Sequence, residues 1–192
     1  MNEQSKAAKR RFADGAFHLR YFSGRGIDIG GGPDPLGRYV GQFARLTSCR
    51  TWDLADGDAE HMAGVPDGTF DFAVSSHCLE HLHDPHVGLR NWLRIIKPSG
   101  FLVVTVPDFD LYEGGRWPSR WNADHKHAFS LSRPSARPVI NAITFLARFA
   151  GVASVERLHL VRDFWSDSDA GTDQTLNTVT ESCIEFVLRK CG

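Results

Sequence analysis

The sequence predicts an α/β protein built on a mostly parallel sheet, and three observations support this fold class. Apolar segments typical of strands alternate with segments of helical periodicity, an arrangement that produces parallel sheets. The stretch "FLVVTVPD", residues 101–108, is almost continuously apolar, as expected of a strand covered on both faces. Three glycines, residues 30–32, directly follow the first strand-like segment.

Length and composition narrow the class of protein. The 192 residues, with 42% hydrophobic and 23% charged side chains, suit a single domain over residues 1–192. No apolar run reaches the ~18 residues of a membrane span, and the net charge of -1 argues against a nucleic-acid partner. The four cysteines are scattered without a CxxC pair, which predicts reduced thiols and a cytoplasmic location.

The first elements follow in order. Residues 1–22 are predicted to form an amino-terminal helix, whose basic residues are interpreted as a solvated face. The stretch "GRGIDIGGGPDP", residues 24–35, is predicted to begin with a short strand that runs into the glycines, and the apolar spacing of residues 36–46 predicts a helix. Residues 49–54, "CRTWDL", are predicted to form a second strand that ends in an acid.

The second half alternates in the same way. Residues 69–76 are predicted to form a strand, and residues 86–100 a helix that Pro98 and Gly100 terminate. The apolar strand at 101–108 leads into an aromatic-rich loop over residues 108–138. A helix near residues 137–150 and two strands, at 155–164 and 182–190, complete the predicted order.

The glycines after the first strand favour a ligand site. Glycine there lets the backbone turn tightly and approach a ligand closely. Asp53 lies 25 positions after Asp28 (53 − 28), at the end of the second strand. An acid at that place can accept hydrogen bonds from ribose hydroxyls. The strand, the glycines and the acid together predict a cofactor that contains a nucleoside.

The stretches "GIDIGGGP", "GDAEHM", "DGTFDFAVSSHCLEHL" and "LRIIKPSGFLVVTVPD" resemble those of class I S-adenosylmethionine (SAM)-dependent methyltransferases. The resemblance covers residues about 25–108. It implies a Rossmann-like, doubly wound, mostly parallel seven-stranded sheet with an antiparallel last strand. SAM is then expected at the carboxyl ends of the strands.

The resemblance also implies roles for individual residues. Asp28 and the glycines would frame the methionine end of SAM, and Asp53 would bind the ribose. The "DA" of Asp58 and Ala59 would lie against adenine, and Ser76 and His77 would face the methyl donor. The full implied cofactor set is Asp28, Ile29, Gly30, Gly31, Gly32, Asp53, Leu54, Asp58, Ala59, Ser76 and His77.

The chain departs from the family pattern at two places. Asp34 stands where the family has its third glycine. The stretch between Asp53 and Asp58 is too short for the usual helix and strand, so the third strand is expected to be reduced or missing. Which of these two acids holds the ribose stays open.

A cluster of histidines follows the strand at 69–76. His77, Glu80 and His81 have the i, i+3, i+4 spacing of one helix face. This spacing is similar to the E-x-x-E-H element of ubiquinone-pathway and small-RNA 2′-O-methyltransferases, which binds a divalent metal. His125 and His127 of "DHKH" are further candidate ligands, with Asp124 as a ligand or supporting partner. The histidines favour Mn, Fe, Co or Zn over Mg.

Two other interpretations of the histidines stay open. A metal-free site could use one of them, His77, His81 or His127, as the catalytic base that takes the proton of a hydroxyl acceptor. Alternatively, the histidines are structural, as in many methyltransferases that share "LEHL" without a metal.

The loop at 108–138 is expected to lie over the site, because it follows a strand at the carboxyl edge. Its flat aromatic and hydrogen-bonding side chains suit a sugar ring or another small polar acceptor; they are Tyr112, Trp117, Trp121 and Phe129, with Arg116, Arg120 and Asn122. The sequence therefore predicts SAM-dependent O-methylation of a small hydroxylated acceptor, such as a sugar, glycan precursor or secondary metabolite. A non-catalytic SAM-binding protein and a nicotinamide-dependent oxidoreductase are the alternatives, although the chain lacks G-x-G-x-x-G.

Overall fold

The computed structural model describes residues 3–170 and 172–192. It contains four α-helices: α1 (Glu3–Ala13), α2 (Gly15–Tyr21), α3 (Pro85–Arg94) and α4 (Ala142–Ala147). The strands are β1 (Gly24–Ile29), β2 (Leu46–Trp52), β3 (Phe70–Ser76), β4 (Ile96–Pro107), β5 (Ala128–Ser130), β6 (Val139–Asn141), β7 (Ala153–Val161) and β8 (Cys183–Lys190). Short 3-10 turns cover Leu36–Gln42, Leu79–His81, Asp167–Asp169 and Gln174–Leu176. None of the helices in the described ranges has the length and apolarity to cross a membrane.

Six strands form the main sheet, in the order β2-β1-β3-β4-β8-β7. Strands β2, β1, β3 and β4 are mutually parallel, and β8 is antiparallel to both of its neighbours, β4 and β7. This arrangement confirms the predicted α/β sheet with an antiparallel last strand. Strands β5 and β6 form a separate parallel pair. Strand β5 lies within the loop at 108–138, and β6 directly follows it.

The sheet has six strands and not the seven that the family resemblance implies. The missing strand is the third of the family pattern, at the edge beyond β2. Residues 53–69 connect β2 to β3 through turns alone, because the segment is short and rich in Asp and Gly. The sequence anticipated this reduction, and β2 is an edge strand as a result.

The predicted helices differ from the observed elements at several places. The helix expected over residues 86–100 ends at Arg94, because β4 begins at Ile96, and the helix expected near residues 137–150 begins only after β6, at Ala142. Residues 36–46 form only a 3-10 turn, in which Gly37 lies so close to β2 that a Cβ would come within 3.0 Å of the Cys49 carbonyl oxygen. The predicted helix over residues 1–22 divides into α1 and α2 at Asp14, whose carboxylate caps α2 by accepting from the Phe17 amide.

Two hydrophobic clusters cover the two faces of the sheet. One packs α3 and α4 against the sheet through Trp92, Phe145 and Phe149. The other packs α2 and the turn after β1 against the opposite face through Phe17, Phe22 and Phe43. Helices on both faces define the doubly wound arrangement and leave the carboxyl edge of the parallel strands for a ligand.

The interpretation of the basic residues of α1 as a solvated face is wrong for Lys6 and Arg11, which are buried. Arg11 Nε donates to Glu185 of β8 at 2.9 Å, and Lys6 Nζ donates to the carbonyl oxygens of Gln174 and Thr180. These partners are far away in sequence, so helical periodicity alone could not reveal them. They fix α1 across the carboxyl edge of the sheet.

Candidate active site

The loop after β1 turns sharply at two glycines. Gly30 has φ +76 and Gly32 has φ +51, a region that side chains rarely adopt. A Cβ at Gly30 would lie 2.6 Å from the Cβ of Cys78, just after β3. Glycine is therefore required at position 30, where the loop passes between the ends of two neighbouring strands.

Asp28 lies at the base of this loop and is buried. Its Oδ2 accepts from the Leu36 amide at 2.6 Å and from Gln4 Nε2 at 3.4 Å. Burial raises the pKa of Asp28 to about 6. Its Oδ1 has no hydrogen-bond partner in the described part of the chain, which leaves an acceptor for a ligand.

A cavity of about 120 Å³ lies between the glycine loop and the amino end of α1. It is smaller than the ~300–1,000 Å³ of typical ligand sites, because α1 closes it. Asp34, at the family's third-glycine position, explains this closure, because its carboxylate accepts from the amide and hydroxyl of Ser5 in α1. The cavity is lined by Glu3, Gln4, Asp28, Gly30, Gly31, Gly32, Pro33, Asp34, Ser76 and His77.

The two candidate ribose acids differ in what they already bind. Asp53 is half-buried next to the glycine loop, since Ile29 pairs with Trp52. Among the described residues, its Oδ1 accepts from the adjacent Leu54 amide alone. Asp58 is exposed, and its two oxygens are used by the Glu60 amide and the His61 ring. Leu54 is almost fully exposed.

Ala59 is half-buried, and its carbonyl oxygen accepts from the Trp92 indole. At the end of β3, the Ser76 hydroxyl accepts from Thr105 at 3.0 Å. Ser76 and His77 both line the cavity with Asp28 and the glycines. The structure therefore places the predicted methionine-side residues together, whereas Asp58 and Ala59 are not among the residues that line the cavity.

His77 is the residue that joins the cofactor cavity to the histidine cluster. Its backbone has φ +53, which prevents the expected helix from starting here, and only Leu79–His81 form a 3-10 turn. The Nε2 atom lies 3.7 Å from Glu3 Oε2, and Nδ1 lies 3.8 Å from Glu80 Oε1. Burial lowers the pKa of His77 to about 3, so the ring is neutral at physiological pH.

Glu80 is the centre of the cluster and is 0% exposed. Neither of its carboxylate oxygens has a hydrogen-bond partner among the described residues. Three imidazole nitrogens surround Oε1: His77 Nδ1 at 3.8 Å, His81 Nε2 at 3.8 Å and His125 Nε2 at 3.9 Å. Burial raises the pKa of Glu80. An unpartnered buried carboxylate is costly unless it binds a cation.

The other nitrogens of two of these rings face carboxylates. His125 Nδ1 lies 2.8 Å from Glu113 Oε1, and His81 Nδ1 lies 3.0 Å from Asp124 Oδ2. Metal-binding histidines usually have this arrangement: one ring nitrogen contacts a carboxylate, and the other is directed at the position of the ion.

The cluster has the spacing of a metal site. One ligand atom each of Glu80, His81 and His125 lies within 4.8 Å of the others. Ligands at ~2.0–2.2 Å from an ion such as Zn²⁺ lie ~3–4 Å apart, so small side-chain movements suffice. The donor set of two imidazoles and one carboxylate suits Zn, Fe, Co or Mn better than Mg.

Backbone hydrogen bonds hold the later histidine in place. The amides of Lys126 and His127 donate to the Glu80 carbonyl oxygen at 2.9 and 3.1 Å. They fasten the loop after β4 to the turn after β3, which brings His125 to Glu80. The same contacts turn His127 away: its Nε2 lies 3.3 Å from the His83 carbonyl oxygen.

The structure therefore brings together His77, Glu80, His81 and His125 of the predicted metal and catalytic residues. His127 lies outside this group and lines a separate cavity with His83 and Arg137. Sequence reasoning missed Glu113, which carries no recognisable spacing to His125. Glu113 is one of four acidic residues in the loop at 108–138, so composition does not distinguish it from Asp108, Asp110 and Asp124.

Comparison with known proteins supports the fold. An S-adenosylmethionine-dependent methyltransferase from Archaeoglobus fulgidus superposes with a TM-score of 0.59 at 17% identity, covering 99% of this chain and 94% of that one. One from Mesorhizobium loti gives 0.53 at 15% identity, with 92% and 96% covered. The cyclase SpnF gives 0.60 at 17% identity, with 96% and 81% covered, so the same fold occurs in a protein named for another activity.

A relative in sequence is an uncharacterised 37.1 kDa protein in a transposon of Streptomyces fradiae, 29% identical over 104 residues. The match covers 44% of this chain but only 30% of that protein. Residues 4–137, the larger part of the chain, match the methyltransferase domain family. The match includes the glycine loop, Asp53 and the histidine cluster, and the chain belongs to this family of methyltransferase domains.

Proposed function

We propose that this chain transfers the methyl group of SAM to a hydroxyl oxygen of a small acceptor, with a divalent metal bound by Glu80, His81 and His125. The observation that carries the proposal is the Glu80 carboxylate, buried and unpartnered, facing the nitrogens of three histidines. His77, one of the three, also lines the cofactor cavity. The metal site and the methyl donor would thus share one wall.

The cofactor residues divide into two groups. Asp28 and the loop of Gly30, Gly31 and Gly32 would hold the methionine end, where Asp28 Oδ1 is free to accept from an ammonium group. Asp53 is favoured over Asp58 for the ribose, because the Asp58 oxygens are already engaged by Glu60 and His61. The exposed Leu54 and the half-buried Ala59 would lie at the adenine side.

The chain's part in the reaction is placement and proton removal. Transfer breaks the carbon–sulfur bond as the acceptor oxygen bonds to the methyl carbon, and the hydroxyl proton must leave. Glu80, His81 and His125 would hold a divalent ion, which would orient the acceptor and lower the pKa of its hydroxyl. His77 is neutral at physiological pH and lies between the cavity and Glu80, so it can accept a hydrogen bond from the hydroxyl.

The loop at 108–138 supplies the acceptor side. The ring of Tyr112 is 6.4 Å from that of His77 and 5.9 Å from that of His125, so it forms a wall of the cluster. The Trp121 indole donates to the Tyr112 carbonyl oxygen, and Arg120 lies over the Trp121 ring. A flat, hydroxylated molecule such as a sugar fits this lining. The identity of the acceptor and a cytoplasmic location stay predictions.

Turnover assays with chelator-treated protein test the proposal. Release of S-adenosylhomocysteine (SAH) is measured with a panel of sugars, catechols and simple amines, with and without added Mn²⁺, Co²⁺ or Zn²⁺. We expect turnover with a hydroxylated acceptor that needs a metal, and its loss in Glu80→Gln with SAH binding retained. Methylation of amines alone would contradict oxygen transfer.

Metal-free catalysis is the second candidate, because His77 reaches the cavity without any ion. Metal-free catalysis would be established if turnover is equal with and without chelator, is lost in His77→Asn and is retained in Glu80→Gln. SAH binding without turnover on any acceptor would instead support a binding protein.

A further inference from the structure

We infer that Glu113 is a positioning residue that aims His125 at the metal ion and thereby sets the affinity of the site. The inference rests on the metal site of the proposed function and deepens it. Glu113 follows β4 in the loop at 108–138, and its carboxylate is the partner of His125 Nδ1 at 2.8 Å.

The burial of Glu113 is what calls for a function. The residue is 2% exposed, and its Oε2 has no partner in the described ranges. A buried carboxylate with one hydrogen bond costs folding free energy, because it loses its hydration. A structural hydrogen bond to His125 alone would be served as well by a neutral side chain.

The contact decides which nitrogen of His125 carries the proton. An ionised carboxylate only accepts hydrogen bonds, so Nδ1 must donate to Glu113. In the neutral ring, the lone pair is then on Nε2, which faces Glu80 Oε1 at 3.9 Å. The opposite tautomer would present a hydrogen to the ion and could not bind it.

The charges of the cluster match a divalent ion. Glu80 and Glu113 are both buried, and in their ionised form they would bring two negative charges to the two sides of the His125 ring. A divalent cation would balance both. The Glu113 carboxylate would polarise the His125 ring and so make its Nε2 a stronger electron-pair donor to the ion.

His81 has a similar partner that differs in one respect. Asp124 lies 3.0 Å from His81 Nδ1, but its side chain is 70% exposed and also pairs with Lys126. Water and Lys126 screen its charge, so its influence on the ion is weaker. Asp124 is therefore a matched control: the same kind of contact, exposed and not buried.

The test is metal binding without any substrate. The Co²⁺ affinity of the full chain is measured by competition with a chromophoric chelator, and the visible Co²⁺ spectrum reports the ligand field. We expect the wild type to bind one Co²⁺ ion and Glu80→Gln to bind none. Glu113→Gln should bind Co²⁺ about 10- to 100-fold more weakly than wild type and show an altered spectrum. Asp124→Asn should weaken binding only a few-fold, and Glu113→Asp should recover part of the loss.

A double-mutant cycle with His125→Ala separates positioning from general damage. If Glu113 acts through His125, Glu113→Gln has no further effect on Co²⁺ affinity once His125 is alanine. Equal affinity of wild type and Glu113→Gln, or an undiminished effect in the His125→Ala background, would overturn the inference and leave the metal site standing. No Co²⁺, Zn²⁺ or Mn²⁺ binding by wild type would overturn the metal proposal and this inference together. Glu113→Asp serves the cycle if Glu113→Gln does not fold.

Discussion

The Glu80 carboxylate and the His125 ring face each other across 3.9 Å, although they follow different strands. Strands β3 and β4 are parallel neighbours, so the segments that follow them emerge at the same edge of the sheet. The Glu80 carbonyl oxygen accepts from the Lys126 and His127 amides, which fixes the distance between the two segments. The pair is therefore positioned by backbone, independently of any ion.

Metal should stabilise the chain, and this can be measured by thermal unfolding in chelator and in Co²⁺. Binding to the native state alone adds about 2.7 kcal/mol at a free metal concentration of 100 Kd. We expect wild type to gain a higher Tm with Co²⁺ and Glu80→Gln to gain none.

In the presence of a chelator, wild type should no longer have a higher Tm than Glu80→Gln. Glu80→Gln removes a buried carboxylate that has no partner in the described part of the chain, so the variant should unfold at the same or a higher temperature than wild type. A lower Tm of Glu80→Gln in chelator would show that the carboxylate is satisfied in some other way.

Gly30→Ala should weaken SAH binding by at least about tenfold, or 1.4 kcal/mol. The added Cβ would meet Cys78 at 2.6 Å, in a backbone conformation of φ +76 that alanine resists. We also expect a loss of about 1–3 kcal/mol in unfolding free energy. Gly41→Ala is the control, since nothing lies within 4 Å of its Cβ. Calorimetric titration of SAH measures the affinity, and equal affinities would remove the glycine loop from the site.

Asp53→Ala should weaken SAH binding about 10- to 100-fold, because a buried ribose hydroxyl pair would lose its charged acceptor, at about 1.5–3 kcal/mol. Asp58→Ala should change it little, since that carboxylate is turned to His61 at 2.8 Å. Calorimetric titration of SAH into the Asp53→Ala and Asp58→Ala variants distinguishes the two assignments. If the Asp58 variant lost more affinity, the two assignments would be exchanged.

The sequence predicted those parts of the fold and site that depend on short-range patterns. Neighbouring residues in the chain are enough to predict the glycines after β1, the acid after β2 and the apolar strand β4. Glu80 and His81 were found for the same reason. Glu113 was not, because its contact with His125 arises from the folding of an irregular loop, which no periodicity describes.

Two further differences have one local and one long-range cause. The positive φ of His77 replaced a predicted helix by a 3-10 turn, yet His77 still reached Glu80. Arg11 was expected in solvent because helical spacing cannot show that Glu185, buried in β8, lies opposite. Long-range ion pairs of this kind become visible only when the strand order is known.

The buried pairing of Glu185 with Arg11 and Arg10 predicts an acid-sensitive step in stability. Burial alone would raise the pKa of Glu185, but the two guanidinium groups outweigh it and lower the pKa to about 2, from 4.5. Because the folded pKa is depressed, the stabilisation is complete above pH 4.5 and is lost as pH falls towards 2. The shift corresponds to about 3 kcal/mol at 1.36 kcal/mol per pKa unit.

Glu185→Gln should therefore lower the unfolding free energy at pH 7 by about 3–5 kcal/mol, because it leaves two arginines partly unpaired. The difference from wild type should stay constant between pH 7 and 5 and narrow below pH 4.5. Glu156→Gln, which breaks the exposed pair with Arg20, should change stability by less than about 1 kcal/mol at any pH. Urea unfolding at several pH values measures both variants. A Glu185→Gln difference that stays the same down to pH 3 would mean that the carboxylate is not held ionised by Arg11 and Arg10, and that α1 is fastened to β8 mainly by packing.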